Sequence, residues 1–324
     1  MDAIATDALT KHYPVGFSGR RRHVALDHLT LRVGQGQVFG FLGPNGAGKT
    51  TTLKLLLQLI YPTSGTASIL GRPAGSVDVR RRIGYLPEQP YFYDHLTPEE
   101  LLDYFGGLFG YDAAERRRRT ARLLDEVGVG EARRRQLRTF SKGMLQRVGV
   151  AQALLNDPEV VFLDEPMSGL DPLGRREIRH LILGLRDRGC TVFFSSHVLA
   201  DAEALCSRVG ILVAGRLVTE GPLTEILAFE VRGWELVVHG LTDAALEHAR
   251  GAGRVRRATA IGGDRWALDL APDVAPEVLL ADLAVRGASL VSLNPLRDTL
   301  EDYFVRQVTA AEASGDDAPA GAGE

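Results

Sequence analysis

Apolar and polar positions alternate over residues 3–42 with the two-residue period of strands, interrupted by the turn-rich stretch VGFSGRRRH at residues 15–23. That interruption predicts a hairpin tip or an exposed loop. The apolar run Val38–Leu42 then meets a glycine-rich turn, and TTLKLLLQLI after it sets its leucines on one side at helical spacing. Strand, loop and helix are expected in that order. A hairpin-like region is predicted around Gly65 and Gly71. At Thr97 the segment TPEE combines a capping threonine, proline at the first helical position and glutamate three residues after the cap, which predicts helical structure to about Arg138.

From Glu159 the pattern changes to short, wholly apolar runs alternating with helices. EVVFLDEP precedes a helix near residues 174–188, and TVFFSSH precedes one at residues 198–206. Runs without alternation suit strands buried on both faces of a parallel sheet. ILVAGRLVTEGP predicts a closing hairpin, so the α/β unit is expected to occupy residues 1–228. From Trp234 the order strand, helix, two strands around Gly262-Gly263-Asp264, helix, strand is a small ferredoxin-like α+β unit in outline, assigned to residues 229–308. A last apolar helix is expected at about residues 300–308, and an acidic, disordered tail at residues 309–324.

Composition bounds these expectations. With 45% hydrophobic and 24% charged residues over 324 positions, the chain has material for a large core, and disorder throughout is excluded. Runs such as residues 160–163 and 191–194 fall far short of the roughly 18 apolar residues of a membrane span, so no span is expected. MDAIATDALTKHY lacks a charged start followed by an apolar run, so no secretory signal is expected and the cytoplasm is the expected compartment. The net charge is −3, and residues 310–324 hold four acids and no bases, which leaves the rest of the chain near balance and without a nucleic-acid signature. Only Lys11, Lys49, Lys54 and Lys142 are lysines among 38 basic residues, so each surviving lysine invites a reason. Cys190 and Cys206 lack any CxxC or histidine pattern and read as buried or incidental reduced thiols.

GPNGAGKT at residues 43–50 fits G-x-x-x-x-G-K-[ST] and lies between a predicted strand and helix, the context that makes the pattern a phosphate site. Gly43, Pro44, Asn45, Gly46, Ala47, Gly48, Lys49, Thr50 and Thr51 are the expected nucleotide contacts. Glycines let backbone N–H groups wrap a phosphate, and the following helix directs its positive end at the same anion. Lys49 supplies a compact charge to the β- and γ-phosphates, and the Thr50 hydroxyl a ligand for Mg²⁺. VVFLDEP adds an apolar strand ending in Asp164, a carboxylate for the magnesium shell at the sheet edge where ligands collect. Glu165 is the candidate general base for an attacking water.

Between these two halves lies FSKGMLQR at residues 140–147, which resembles the signature motif of ABC-transporter ATPase subunits. Tyr13 resembles that family's adenine-stacking aromatic, Gln89 in YLPEQP its magnesium-sensing glutamine, SGLDP at residues 168–172 its loop to the opposite ATPase, and His197 its switch histidine. The ordered motifs cover about residues 3–225. The resemblance implies an α/β fold, a P-loop NTPase of ABC type with a helical signature subdomain and an antiparallel β subdomain, followed by the small accessory domain. It also implies ATP and Mg²⁺ as cofactors, with Glu165, His197 and Lys49 catalytic, and with Tyr13, Ser141 and Gly143 contacting nucleotide. Thr50, Gln89 and Asp164 would serve the metal. Expected partners are a second ATPase subunit, as a homodimer, and a separate transmembrane permease, which would hold the chain at the cytoplasmic face of the cell membrane; no nucleic acid is expected. Phe140, Lys142 and Met144 depart from the usual Leu-Ser-Gly-Gly-Gln signature, while Ser141 and Gly143 are kept. SKGM resembles the variant of bacterial drug, antibiotic and lipid-type exporters. Lys142 is either a charge near the opposite subunit's nucleotide or an exposed helix-start lysine. Tyr91, Phe92 and Tyr93 either line a permease groove or pack within the helical lobe. The arginine runs at residues 116–119 and 133–135 read more simply as solvated helix faces than as a lipid-headgroup site. A DNA-repair or chromosome-organising ATPase would need a heptad insertion or zinc cysteines, and a translation factor a second phosphate loop; the sequence has none of these. A regulator or structural binder stays open at this point.

Overall fold

The computed structural model describes residues 1–15, 21–226, 231–251 and 253–297, together with Glu301, Val305 and Thr309. Contacts gather these into two compact units, one of residues 1–223 together with Thr309 and one of residues 224–306. The expected boundary at residue 228, residues 16–20 of the predicted hairpin tip, and residues 310–324 of the predicted tail lie outside the described residues. So does the predicted last helix, apart from Glu301 and Val305.

In the first unit, β1 (Asp2–Val15) and β2 (Arg21–Gly34) are followed by β3 (Val38–Leu42), the glycine-rich loop and α1 (Lys49–Leu56). Next come β4 (Ser64–Ile69), β5 (Arg72–Pro73), the one-turn α2 (Val77–Arg80) and β6 (Ile83–Leu86). A helical stretch holds α3 (Pro98–Leu108), α4 (Ala113–Glu126) and α5 (Lys142–Ala153). The unit finishes with β7 (Val160–Asp164), α6 (Pro172–Asp187), β8 (Thr191–Ser196), α7 (Leu199–Leu205), β9 (Arg208–Val213), β10 (Arg216–Pro222) and the start of α8 (Leu223–Ile226).

Two sheets carry these elements. The antiparallel one runs β2-β1-β4-β5, and the other runs β10-β9-β3-β8-β7-β6, parallel except for β10. Every residue of β3, β7 and β8 is buried, as their apolar runs without alternation predict, and the burial extends to Asp164, Thr191, Ser195 and Ser196 at the strand ends. Phe39, Phe41, Phe162 and Phe193 pack in one cluster with Leu53 and Leu56 of α1 and with Ile4 and Leu31 of the antiparallel sheet. The Phe39 and Phe193 rings stack at 5.5 Å. Each such ring withdrawn from water contributes about 1.5–3 kcal/mol, enough to lock α1 and the loop before it against the sheet.

The helical stretch is not continuous to Arg138. α4 stops at Glu126, and Gly128 takes φ 69°, the left-handed conformation that ends helices. Two 3₁₀ turns, Gly130–Ala132 and Leu137–Thr139, then carry the chain to α5. Both arginine runs have partners: Arg116 meets Asp103 at 2.8 Å, Arg118 and Arg119 meet Glu115, and Arg134 meets Glu99 at 3.7 Å.

The second unit consists of β11 (Val231–His239), α9 (Asp243–Gly251), β12 (Val255–Gly262), β13 (Arg265–Leu270), α10 (Pro276–Val285) and β14 (Ser289–Arg297). Its antiparallel sheet runs β12-β13-β11-β14, with the ferredoxin-like order expected of the sequence. Leu236, Val238, Leu268 and Leu270 meet Leu246, Leu279 and Leu283 in a core of its own.

Candidate active site

The phosphate loop is shaped by close approach. Gly46 and Gly48 take φ 81° and 107°, and a Cβ on Gly48 would collide with the Ala25 carbonyl oxygen of β2. A Cβ on Gly43 would strike the Leu212 carbonyl oxygen of β9. Bare backbone is therefore needed where the loop is squeezed between two sheets. Lys49 opens α1 and is buried; its amine donates to the Gly43 carbonyl at 2.7 Å and the Pro44 carbonyl at 3.2 Å.

β7 delivers the carboxylates. Asp164, 1% exposed, accepts hydrogen bonds on Oδ1 from Ser195 at 2.6 Å and from Thr50 at 3.3 Å. Burial raises its carboxyl above the usual range, against the two hydroxyls that lower it. The chain then turns sharply, with Glu165 at φ 48°, which for a non-glycine residue costs about 1–2 kcal/mol. This conformation sends the Glu165 carboxylate back over the loop. One oxygen lies 3.4 Å from the Lys49 amine, and the other accepts from His197 Nδ1 at 2.9 Å. Lys49, Thr50, Asp164, Glu165 and His197, drawn from three separate stretches of sequence, thus meet in one place.

They surround a cleft of about 650 Å³, within the size range of small-molecule sites. Tyr13, Asn45, Gly46, Ala47, Gly48, Lys49, Thr50, Thr51, Glu165 and His197 line it. Asp164 lies behind that lining, while Gly43 and Pro44 act through the carbonyls that hold Lys49. A hydroxyl and a carboxylate side by side form an all-oxygen donor set, which fits magnesium better than a softer metal. Among the described residues no group of three His, Cys, Asp or Glu could hold a metal unaided.

Three expected site residues stand apart from the lining. Gln89 is exposed and accepts a hydrogen bond from the Tyr91 hydroxyl at 3.0 Å, whereas its neighbour Glu88 lines the cleft. Ser141 is exposed and caps α5, its oxygen accepting from the Met144 N–H at 3.3 Å. Gly143 is open, since a Cβ there would meet only Leu170, at 3.6 Å. The Lys142 side chain lies against Gly169 of the SGLDP loop. The structure adds His23, Ala25, Glu88 and Ser168 to the lining and Ser195 behind it. His23 reaches the cleft because it pairs with Tyr13 across the β1–β2 ladder. Cys190 and Cys206 are free and buried, and burial pushes the Cys190 thiol up to about 11 and raises that of Cys206 as well.

Residues 26–168, from within β2 through the phosphate loop and the signature to the SGLDP serine, match the ABC transporter family. An uncharacterized ABC transporter ATP-binding protein of Synechocystis is 47% identical over 95% of this chain and 85% of its own length. The bacitracin transport ATP-binding protein BcrA of Bacillus licheniformis is 42% identical over 69% of this chain and 71% of its own. Among solved structures, an ATP-binding cassette captured as a dimer in a post-hydrolysis state with ADP and Pi aligns at TM-score 0.62. That alignment has 27% identity and covers 68% of this chain and 98% of the cassette. Its phosphate loop, carboxylate strand and signature helix, together with the family match and a relative 47% identical over 95% of the chain, make this protein a member of the ABC transporter ATP-binding family and an ATPase.

Proposed function

We propose that the chain is the ATP-hydrolysing subunit of an exporter, that two copies close on ATP and Mg²⁺, and that they drive a separate permease from the cytoplasmic face of the membrane. One observation carries the pairing: Ser141 and Gly143, at the start of α5, are accessible and make no contact with their own cleft. Because the Ser141 oxygen accepts from Met144, its proton remains available for donation to a phosphate on another subunit. The N–H groups at the start of α5 would add their dipoles to the same anion.

Within each cleft, Glu165 accepts a proton from water as the water attacks the γ-phosphorus, and the bond to the β–γ bridging oxygen breaks to leave ADP and phosphate. Lys49 offsets charge on the phosphates, and His197 orients the Glu165 carboxylate by the bond already present between them. Held by Thr50 and Asp164, with Gln89 as sensor, Mg²⁺ would supply charge compensation to the phosphate oxygens. Hydrolysis removes the anion that bridges the two copies and lets them part.

Tyr91 and Tyr93 are exposed beside a groove of about 210 Å³ that includes Phe92, Leu101 and Phe105, an aromatic surface of the kind interfaces favour. It suits a helix of the permease. Among the described residues no helix is long and apolar enough to cross a membrane, so the reading assigns the span to that partner. Relatedness to the bacitracin transport protein supports a drug- or antibiotic-type cargo. Residues 229–308 are read as an accessory piece that stabilises or regulates the pair, with residues 309–324 as its tail.

The test is Glu165→Gln. ATP binding should stay within about twofold of the parent, turnover should fall by roughly 100-fold or more, and a nucleotide-dependent dimer should accumulate in size-exclusion chromatography. Hydrolysis at the parent rate would remove Glu165 as the base. Loss of turnover with no dimer would remove the pairing.

A further inference from the structure

We propose that Ser195 is a positioning residue for hydrolysis, its single hydroxyl orienting the Asp164 carboxylate and anchoring the backbone of Glu165. The proposal rests on the roles given above to those two acids.

Ser195 sits in the middle of the parallel sheet and is fully buried. Asp164 and Ser195 form the last rung of the β7–β8 ladder. Beyond that rung Glu165 turns into the left-handed region at φ 48°, so its N–H finds no strand partner. The Ser195 oxygen takes that N–H at 3.0 Å and donates its own proton to Asp164 Oδ1 at 2.6 Å. A hydroxyl has one proton and two lone pairs, and both kinds of bond are used here in one direction each. The serine therefore ties three things together: the metal-side carboxylate, the backbone turn, and through that turn the path of the Glu165 side chain to Lys49 and His197. An alanine would fill the same strand position, while leaving a buried N–H without a partner and a buried carboxylate with one hydroxyl in place of two. Such losses commonly cost as much as the bonds themselves.

The experiment compares Ser195→Ala and Ser195→Thr with the parent, with Glu165→Gln run beside them. Ser195→Ala should keep ATP affinity in EDTA within about twofold, because the phosphate loop is untouched. Its kcat should fall roughly 10- to 100-fold with KM little changed, and the Mg²⁺ concentration for half-maximal rate should rise severalfold. Exchange of the Glu165 amide with solvent should accelerate. Ser195→Thr restores the hydroxyl and should recover most of the rate and of the amide protection. Parent-like kcat and Mg²⁺ dependence in Ser195→Ala would overturn the proposal, as would equal impairment of the alanine and threonine variants, which would mark a packing role alone. If the alanine variant does not fold, Ser195→Cys, nearly the same shape with a weak hydrogen-bonding group, carries the same readouts. Glu165→Gln separates the two possible failures. Parent-rate hydrolysis by that variant fells the base assignment and this proposal with it. An inactive Glu165→Gln beside a parent-like Ser195→Ala fells this proposal only.

Discussion

Gly48 and Gly46 share a motif and a positive φ but not a neighbourhood, and the difference predicts how each tolerates a side chain. At Gly48 an added Cβ meets the Ala25 carbonyl, whereas at Gly46 it meets nothing within 4 Å. Gly46→Ala should lose only the conformational cost of a non-glycine residue at positive φ, about 1 kcal/mol. Gly48→Ala carries that cost and must also push β2 away, so its unfolding free energy in urea should fall by about 2 kcal/mol or more, and its ATP affinity about tenfold or more. Equal losses in the two variants would show that the approach to Ala25 is not what demands glycine. The spacing of glycines, Lys49 and Thr50 makes this part of the site legible in sequence, because the chemistry is local to eight residues. His23 and Ser195 are not legible in the same way. A histidine beside an arginine run and a serine in an apolar strand acquire meaning only from cross-strand register, Tyr13 opposite His23 and Asp164 opposite Ser195. The one available sign was a pair of serines, Ser195 and Ser196, directly after the apolar residues 192–194 of β8.

At the start of α3 the predicted cap is present in full. The Thr97 hydroxyl accepts from the Glu100 N–H at 3.2 Å, and a Glu100 oxygen accepts from the Thr97 N–H at 2.8 Å. Thr97→Ala should destabilise the helix by about 1 kcal/mol. The Thr97 backbone N–H, and then its hydroxyl, hold the Glu100 carboxyl below its ordinary value of 4.5. A carboxyl depressed in the folded state stabilises above its ordinary value and loses that contribution as pH falls through the lower folded one. The gap in thermal stability between the parent and Glu100→Gln should therefore be widest near neutral pH and close on acidification below 4.5. A gap independent of pH would show that the charge on Glu100 does not contribute to the cap. Cap, proline and acidic first turn are short-range signals, which is why this helix start can be read directly. Its partner α4 is harder to read. The periodic pattern runs past Glu126 without a break, and the stop depends on Gly128 adopting φ 69°, one conformation among several open to a glycine.

The hydrophobic cores of the two units share no residue, and the sequence contains reporters that tell whether they unfold separately. Its only tryptophans, Trp234 and Trp266, both pack against the core of the second unit, and the first unit has none. Tryptophan fluorescence on heating thus follows residues 224–306, while far-UV circular dichroism follows mainly the larger first unit. The second unit, roughly 80 residues long, buries a smaller share of its surface than the first, so its transition is expected at lower temperature. Ligand binding discriminates further. The cleft is built wholly from the first unit, and ATP at about 100 times its dissociation constant stabilises what it binds by about 2.7 kcal/mol. With Glu165→Gln used to prevent turnover, saturating ATP and Mg²⁺ should raise the circular-dichroism midpoint by several degrees and leave the tryptophan midpoint where it was. A tryptophan transition that moves in step with the first would mean that the two cores unfold as one. The second unit would then be part of the nucleotide-responsive body, able to register whether ATP is bound.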